Sequence, residues 1–301
     1  MDSMRFARCL GMSALACLSF AIASLAQAAP QAGMVRTHLK YIDHASAAGP
    51  ALRSSAALVF DTTHSTVLYS RNSGTALPIA SITKLMTALV VTEAGQPLDE
   101  ELMVTGEDVS LGKISVSRLL PGTRLTRGDL MHLALMSSEN RAAHALGRNY
   151  PGGVSECVHA MNAKALELGM TSAHFVEPTG LSDENVASPE DLSKLVMAAA
   201  KVQTIREYST DSEHDVQVGR RTMRFHNTDS LVSKADWDIV VQKTGYIAEA
   251  GRCLVMQTVI EGRSVVIVLL NSFGKRTRVA DAARVRKWVE WTLLHASAAS
   301  T

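Results

Sequence analysis

This sequence lacks an excess of either charge. Its 301 residues carry 30 Lys and Arg against 29 Asp and Glu, a formal net charge of +1. Without a basic surplus, nothing in the composition points to nucleic acid or an anionic membrane as a partner. We find no internal repeat and no low-complexity tract. With 47% hydrophobic and 20% charged residues, the composition is that of a globular protein, which excludes a disordered or fibrous chain.

Long hydrophobic runs are absent after the first 28 residues. Within them, Arg5 and Arg8 precede an apolar run from about Cys9 to Leu25, and Ala26-Gln27-Ala28 follows as a small-x-small site. These are the three parts of a secretory signal peptide. We expect residues 1–28 to be cleaved and the mature protein to be exported, with no integral membrane span after cleavage. An uncleaved anchor is the alternative, and it would also place the domain outside the cytoplasm.

Cysteine is scarce as well. Of the four cysteines, two leave with the signal peptide, and only Cys157 on a predicted helix and Cys253 on a predicted strand remain. An oxidising compartment would allow them to pair, but we expect two buried thiols rather than a disulfide.

The periodicity of the remaining chain predicts an α/β (α+β) domain over residues 54–297, behind an N-terminal extension, residues 29–53. Apolar runs at 56–60 and 66–70 flank a turn and predict a β-hairpin. Helical signals extend from about 97 to 209, with helices expected at 127–136, 155–168 and from Pro189 behind a Ser188 cap. Strand patterns return at 214–218, 222–225, 239–244, 253–260 and 264–270, with a hairpin turn at Glu261-Gly262. A final helix over 279–295 has one apolar face to cover the sheet.

An apolar helix that begins near Pro78 carries the first candidate site. Its apolar residues surround nearly the whole circumference, which is typical of a buried helix. Ser81 and Lys84 lie three residues apart at its start, so their side chains share a face. The amide end of the helix would favour an alkoxide on Ser81, and a neutral Lys84 would take the proton. Alone, this S-x-x-K pattern is weak evidence, because a capping serine followed by a solvated lysine is the more common reason for it.

Two more short motifs would supply the partners of such a nucleophile. Ser138 and Asn140 form an S-x-N triplet between two helical runs, with a hydroxyl that can relay a proton and an amide that donates and accepts. Lys243, Thr244 and Gly245 form a K-T-G triplet at a strand end. It offers a fixed cation, a hydroxyl and a glycine that would let a substrate backbone lie against the strand edge. Each triplet is common, but the three in this order support one another.

Together the three motifs resemble those of the penicillin-recognising serine enzymes. The resemblance to the low-molecular-mass penicillin-binding proteins, the D-alanyl-D-alanine peptidases, covers essentially the whole mature sequence and is strongest for endopeptidases of the penicillin-binding protein 7 type. Segments 78–88, 134–143, 175–182 and 243–256 carry it. The resemblance implies a β-lactamase-like or D,D-peptidase-like fold, with an antiparallel five-stranded sheet flanked by terminal helices. It also implies an inserted helical subdomain, about 97–209, a site in the cleft, a periplasmic location and no cofactor.

The resemblance also assigns roles to matching residues. It makes Ser81 the nucleophile that forms the acyl-enzyme, Lys84 its general base, and Ser138 the group that passes a proton to the leaving amine. It makes Asn140 a ligand of the substrate's amide.

The K-T-G segment would bind the substrate beside the cut bond. Lys243 and Thr244 would hold its carboxylate, and the charge of Lys243 would help keep Lys84 neutral. The backbone amides of Ser81 and Tyr246 would form the oxyanion hole.

Two glutamates depart from the patterns of relatives. Glu139 stands where many relatives have Asp or Gly, and we interpret it as a solvated residue at a helix start, with a substrate-facing acid as the alternative. Glu177 lies in a loop over the site, where a β-lactamase needs a glutamate to activate water. The sequence after it, Pro178-Thr179-Gly180-Leu181, is not the lactamase pattern, so we do not expect efficient β-lactam hydrolysis.

Several functions remain open at this stage. We expect an endopeptidase that cleaves D-Ala-diaminopimelate cross-links of peptidoglycan and is acylated by β-lactam antibiotics. Carboxypeptidase relatives often continue into a second β-rich domain and a membrane helix, whereas this sequence stops at Thr301. A carboxypeptidase that trims pentapeptides is the alternative. A catalytically silent peptidoglycan-binding protein is a weaker one, since such a protein would be expected to have lost a motif residue. The ten scattered histidines form no H-x-H or H-E-x-x-H pair for a zinc peptidase, and we expect no metal.

Overall fold

Five apolar runs form a twisted central sheet. The structure, a computed structural model, describes residues 40–41, 49–109 and 117–298, with the backbone alone for 40–41 and 294–298. The predicted signal peptide lies outside these residues, as does most of the predicted extension. The strands are β1 (Lys40–Tyr41), β2 (Ser54–Asp61), β3 (Thr66–Arg71), β4 (Leu77–Pro78), β5 (Glu101–Met103), β6 (Arg124–Thr126), β7 (Val186–Ala187), β8 (Glu213–Val218), β9 (Arg221–His226), β10 (Asp238–Ile247), β11 (Gly251–Ile260) and β12 (Arg263–Ser272).

Seven α-helices are found within the described residues. They are α1 (Thr83–Glu93), α2 (Arg127–Met136), α3 (Asn140–Arg148), α4 (Gly153–Glu167), α5 (Pro189–Ala199), α6 (Gln203–Thr210) and α7 (Thr277–Ala298).

The order of the central sheet is β1-β3-β2-β12-β11-β10. All neighbours from β3 to β10 are antiparallel, which confirms the five-stranded antiparallel sheet. The two-residue β1, parallel to β3, was not predicted. β10 forms the opposite edge.

Both faces of the sheet are buried, and this explains the nearly continuous apolar runs of its strands. On one face, side chains such as Leu58, Val255 and Val268 join a large core with the helices. On the other, Leu254 and Leu269 pack with Val285 and the rest of α7, the predicted terminal helix. A residue and its neighbour along a strand therefore serve different layers.

Two predicted local signals are confirmed in detail. Glu261 and Gly262, between β11 and β12, both have positive φ, +48° and +71°, as a two-residue type I′ turn requires. Ser188 caps α5 by accepting from the backbone N–H of Asp191, and Asp191 bonds back to Ser188, a complete capping box. The polar helix α6 was not predicted, because it buries only Ile205 and Ser209.

The helices do not form a layer apart from the sheet. α5, which belongs to the predicted helical subdomain, packs on β2, β11 and β12, whereas α2, α3 and α4 pack around α1. The predicted domain boundaries stay a prediction. Cys157 and Cys253 are both free and buried, as expected, and burial raises their thiol pKa values to about 12 and about 11. Across the described ranges, no helix has the length and apolarity to cross a membrane.

Candidate active site

Ser81 lies in a 3-10 turn, Ala80–Ile82, just ahead of α1. Ala80 has a φ of +48°, a conformation that an alanine adopts only under strain. The hydroxyl of Thr83 donates to the carbonyl of Ala80 at 2.8 Å and holds the turn in place. The serine therefore lies on a short, fixed turn rather than within the regular helix that the sequence suggested.

Lys84 is almost completely buried, with 1% of its surface exposed, and points at three oxygen atoms. Its Nζ lies 2.9 Å from Ser81 Oγ, 2.7 Å from Asn140 Oδ1 and 2.5 Å from the backbone oxygen of Thr179. An ammonium donates to all three. When it loses a proton, it can still donate to Asn140 and Thr179, and its lone pair can face the Ser81 hydroxyl. This geometry is what a lysine base requires.

Burial favours the neutral form of this lysine. It lowers the pKa of Lys84 to about 8, although the charges of Glu177 and Glu139 oppose the shift. The pKa of Lys243 lies well below its usual range, first because of burial and then because of the charges of Lys84 and Arg278. The repulsion between the two amines disfavours the state in which both are charged.

Ser138 and Lys243 form a second hydrogen-bonded group. Ser138 lies between α2 and α3 with a φ of +61°, so its hydroxyl is presented by a tight bend. Lys243 Nζ donates to Ser138 Oγ and to the backbone oxygen of Thr244, both at 2.9 Å. The S-x-N and K-T-G motifs, about a hundred residues apart in sequence, therefore meet directly.

Thr244 is tied to the helical layer by a residue that sequence reasoning missed. The hydroxyls of Thr228 and Thr244 lie 2.6 Å apart. The backbone N–H of Thr228 donates to the carbonyl of Met136, the last residue of α2, at 3.1 Å. Thr228 thus fixes the K-T-G strand against the helix that ends just before Ser138.

Two glycines allow the nucleophile turn to pack closely. A Cβ at Gly245 would lie 3.0 Å from the oxygen of Ile79 and 3.1 Å from the N of Ser81. The sequence predicts that Gly245 leaves room for the backbone of a substrate. In the structure, the backbone that lies close to Gly245 is that of the protein's own turn at Ile79 and Ser81. Gly180 is closer still: it has a φ of +82°, and a Cβ would lie 1.9 Å from the oxygen of Ala80. Tyr246 follows Gly245, with its side chain 56% exposed.

Glu139 begins α3 as predicted, but it is not solvated. It is 8% exposed, and its carboxylate accepts from the backbone N–H of Arg141 at 3.3 Å. Burial raises its pKa, and hydrogen bonds from Ser117 and Arg141 oppose this. The solvated interpretation was wrong because α3 packs this position inside the protein. From there, its charge acts on Lys84.

Glu177 organises the loop that covers Lys84. Its carboxylate accepts from the backbone N–H groups of Thr179, at 2.6 Å, and Gly180, at 2.5 Å, and from the side chain of Asn185 at 2.9 Å. Asn185 is completely buried and also donates to the hydroxyl of Thr83. With its oxygens engaged in this way, Glu177 holds the loop and places the Thr179 carbonyl against Lys84.

Two more charged residues near the K-T-G strand had no local sequence signal. Arg278, in the first turn of α7, donates from Nη1 to the oxygen of Gly245 at 3.3 Å. Asp229 is 1% exposed, and burial raises its pKa while the charges of Arg278 and Lys243 oppose the shift. Only the packing of α7 on the sheet brings these groups together. In the part of the chain that the structure describes, no three His, Cys, Asp or Glu side chains are grouped to hold a metal ion.

The sheet, the helices packed on it and the buried Ser81–Lys84 contact fit a serine-type peptidase. The chain belongs to the D-alanyl-D-alanine carboxypeptidase family, peptidase family S11, whose sequence profile matches residues 43–274.

Three relatives illustrate the similarity. The chain is 47% identical over 241 residues to a D-alanyl-D-alanine endopeptidase of Pseudomonas aeruginosa, an alignment that covers 79% of this chain and 78% of the relative. It is 44% identical over 247 residues to the D-alanyl-D-alanine endopeptidase of Escherichia coli, with 81% and 80% covered. The crystal structure of the Streptomyces K15 DD-transpeptidase matches with a TM-score of 0.75 at 26% identity, over 80% of this chain and 98% of the other. These matches confirm the family and the fold expected from the motifs.

Proposed function

We propose that this protein is an exported D-alanyl-D-alanine endopeptidase that hydrolyses the peptide cross-links of peptidoglycan through an acyl-enzyme. The observation that carries the proposal is the contact of Lys84 Nζ with Ser81 Oγ at 2.9 Å in a buried site that lowers the lysine's pKa to about 8. The names of the two relatives at 47% and 44% identity support endopeptidase over carboxypeptidase activity. The predicted signal peptide supports a periplasmic location.

The first half of the reaction follows from this geometry. Ser81 Oγ attacks the carbonyl carbon of the donor D-Ala, and its proton passes to the lone pair of Lys84 Nζ. The backbone amides of Ser81 and Tyr246 face the oxygen that becomes negative. The C–N bond then breaks, and the leaving amine takes a proton through the hydroxyl of Ser138. Water next releases the acyl group from Ser81.

The substrate is held by the groups around this centre. Lys243, Thr244 and Arg278 surround the end of β10 with an amine, a hydroxyl and a guanidinium, which can all donate to the carboxylate beside the cut bond. Asn140 uses its Oδ1 for Lys84, so its Nδ2 group is the donor left for the substrate's amide oxygen.

β-Lactams fit the same groups, since they present a carboxylate next to a strained amide. We expect them to acylate Ser81. The Glu177 carboxylate is engaged by the backbone of its own loop, so it is not placed to activate a deacylating water. The penicillin adduct should therefore be long-lived.

The test uses purified residues 29–301 with cross-linked muropeptide dimers and with monomeric pentapeptide, following both products by chromatography with and without penicillin. We expect dimers to become monomers and penicillin to block the reaction. Release of D-Ala from pentapeptide alone would instead identify a carboxypeptidase. Turnover of neither substrate would favour a binding role.

The matched variant is Ser81→Ala, which removes only the nucleophile. We expect it to lose covalent penicillin labelling, measured by intact mass, while its thermal unfolding stays that of the wild type. Full labelling of the variant would contradict the mechanism.

A further inference from the structure

Arg252 lies beside Tyr246 of β10, whose backbone amide is one of the two proposed oxyanion donors. It opens β11 opposite Tyr246 of β10, and its guanidinium carbon lies 4.4 Å from the centroid of the Tyr246 ring. Within the described residues, no carboxylate lies within ion-pair distance of Arg252. A guanidinium stacked on an aromatic face keeps its edge N–H groups free, and those groups match a carboxylate in bidentate fashion.

A second guanidinium, that of Arg278, lies near Arg252. Arg278 lies close enough that the charge of Arg252 contributes, after burial, to lowering its pKa. Asp229 opposes that shift, and one of its buried oxygens, Oδ2, has no hydrogen-bond partner among the described residues. One buried carboxylate, Asp229, thus faces Arg278, Lys243 and Lys234. A bound anion would reduce the repulsion between Arg252 and Arg278.

The position of Tyr246 and Arg252 relative to Ser81 determines which part of a bound peptide can reach Arg252. Gly245 packs against the turn of Ser81 on the helical face of the sheet. Leu254 belongs to the core under α7, and β10 and β11 pair without a shift from Thr244 and Leu254 to Tyr246 and Arg252. The irregularity at this point lies on the β12 side of β11. Tyr246 and Arg252 therefore lie on the opposite face. Tyr246 is nonetheless 56% exposed, so it lies at an open end of β10.

β10 is an edge strand, and an extended peptide that adds to an edge directs alternate side chains to the two faces of the sheet. The reacting D-Ala faces Ser81. A neighbouring position of the bound peptide then faces Tyr246 and Arg252. Stem peptides of the proposed substrate carry free carboxylates besides the one beside the cut bond.

We propose that Arg252, stacked on Tyr246, binds a second carboxylate of the peptidoglycan stem peptide and so contributes to substrate selection. This rests on the proposed function. The carboxylate that Lys243 and Thr244 hold is adjacent to the cut bond, whereas the one at Arg252 belongs to a residue further along one of the two stems.

The test compares Arg252→Gln, Arg252→Lys and wild type on muropeptide dimers. We expect Arg252→Gln to lower kcat/KM about tenfold, mainly through KM, which is the scale of one charge-assisted hydrogen-bonded pair. Arg252→Lys should recover only part of this loss, since an ammonium provides neither the planar fork nor the stack. Acylation by penicillin, which has a single carboxylate, should be unchanged. Arg220→Gln, at the exposed β8–β9 turn, removes the same charge and should behave as wild type.

Amidated substrates show which of the two stem peptides carries the carboxylate that Arg252 is proposed to bind. In one dimer the free carboxylates of the acyl-donating stem are amidated, and in the other those of the leaving stem, apart from the carboxylate beside the cut bond. We expect wild type to lose activity on one of them, and Arg252→Gln to add no further loss there. Three results would overturn the proposal. The first is that Arg252→Gln lowers kcat/KM equally on the native dimer and on both amidated dimers. The others are that it lowers penicillin acylation in parallel, or that it lowers neither.

The two proposals fail differently. If wild type cleaves only pentapeptide, the proposed endopeptidase is wrong, and the same Arg252 comparison is made on pentapeptide with free and amidated diaminopimelate. If wild type cleaves dimers and Arg252→Gln does so equally well, only the Arg252 proposal fails.

Discussion

In the proposed mechanism, the charge state of Lys84 decides whether Ser81 is a nucleophile. Burial lowers the lysine's pKa, while two nearby carboxylates, Glu139 and Glu177, raise it again. The balance of these effects, rather than burial alone, leaves the pKa at about 8. About half of the lysine would be neutral near pH 8, and small changes in nearby charge would shift that fraction.

The rate of β-lactam acylation should depend on pH through this lysine. Lys84 is charged below its pKa of about 8 and neutral above it, so acylation should rise with pH and level off above that value. Well below the pKa, the rate should change about tenfold for each pH unit, in proportion to the neutral fraction. Second-order acylation rate constants, measured by stopped flow across this range, check the prediction.

Glu139→Gln is the matched variant for this measurement, because it keeps the shape of the side chain and removes the charge. Since the Glu139 carboxylate raises the pKa of Lys84, its loss should move the midpoint of the profile to lower pH. A flat profile in the wild type, or an unmoved midpoint in the variant, would contradict this account of the base.

The same residues show the limits of sequence reasoning. Ser81, Lys84, Ser138 and Lys243 could be found because short motifs fix their residue types and spacing. The burial of Glu139 could not, since it depends on how α3 packs against other elements. Thr228 acts through a hydrogen bond across sixteen residues of chain, and a lone threonine after a polar strand carries no signal for that.

At the scale of elements, the site is made by three backbone segments in contact. The turn of Ser81 packs between Gly245 of β10 and Gly180 of the loop that Glu177 organises. The strands and helices themselves were largely predictable, because they have clear apolar periods and caps. The close approach of turn, strand and loop was not, because it depends on backbone atoms that no periodicity describes.

Gly180→Ala should therefore damage the site through the turn. The added Cβ would lie 1.9 Å from the oxygen of Ala80 and 2.9 Å from the N of Ser81, so the turn or the loop must move. We expect penicillin acylation to fall at least about 100-fold, since displacing one oxyanion donor alone has an effect of this size. Acylation rates and thermal unfolding are measured together.

Gly219→Ala separates this clash from backbone strain. Gly219 also has a positive φ, +61°, but a Cβ there meets nothing within 4 Å. The variant should lose about 1 kcal/mol of stability from the strained φ and keep its acylation rate. Equal acylation rates in the two variants would show that the packing around Ser81 does not set its reactivity.

At the scale of the whole molecule, one carboxylate joins the two ends of the catalytic domain. Asp281 of α7 is completely buried and accepts from the backbone N–H groups of Arg53 and Ser54 and from the Ser54 hydroxyl, and it pairs with Arg284. The bonds to Arg53 and Ser54 connect residues more than two hundred positions apart. They fix α7 over the sheet and so hold Arg278, in its first turn, against β10. The sequence indicated that a terminal helix covers the sheet, but an aspartate within a helix of mixed charge gives no sign of such a role.

Asp281→Ala should destabilise the whole domain without changing the chemistry directly. It leaves buried N–H groups and Arg284 without their acceptor, which we expect to cost about 3 kcal/mol in the free energy of unfolding. Asp236→Ala removes a mostly exposed partner of Arg286, also on α7, and should cost less than about 1 kcal/mol. Urea unfolding gives both values, and penicillin acylation at low temperature tests whether the folded fraction stays active. Similar stabilities of the two variants would mean that α7 is held by its apolar face alone, because then the buried carboxylate would add no more than a surface ion pair.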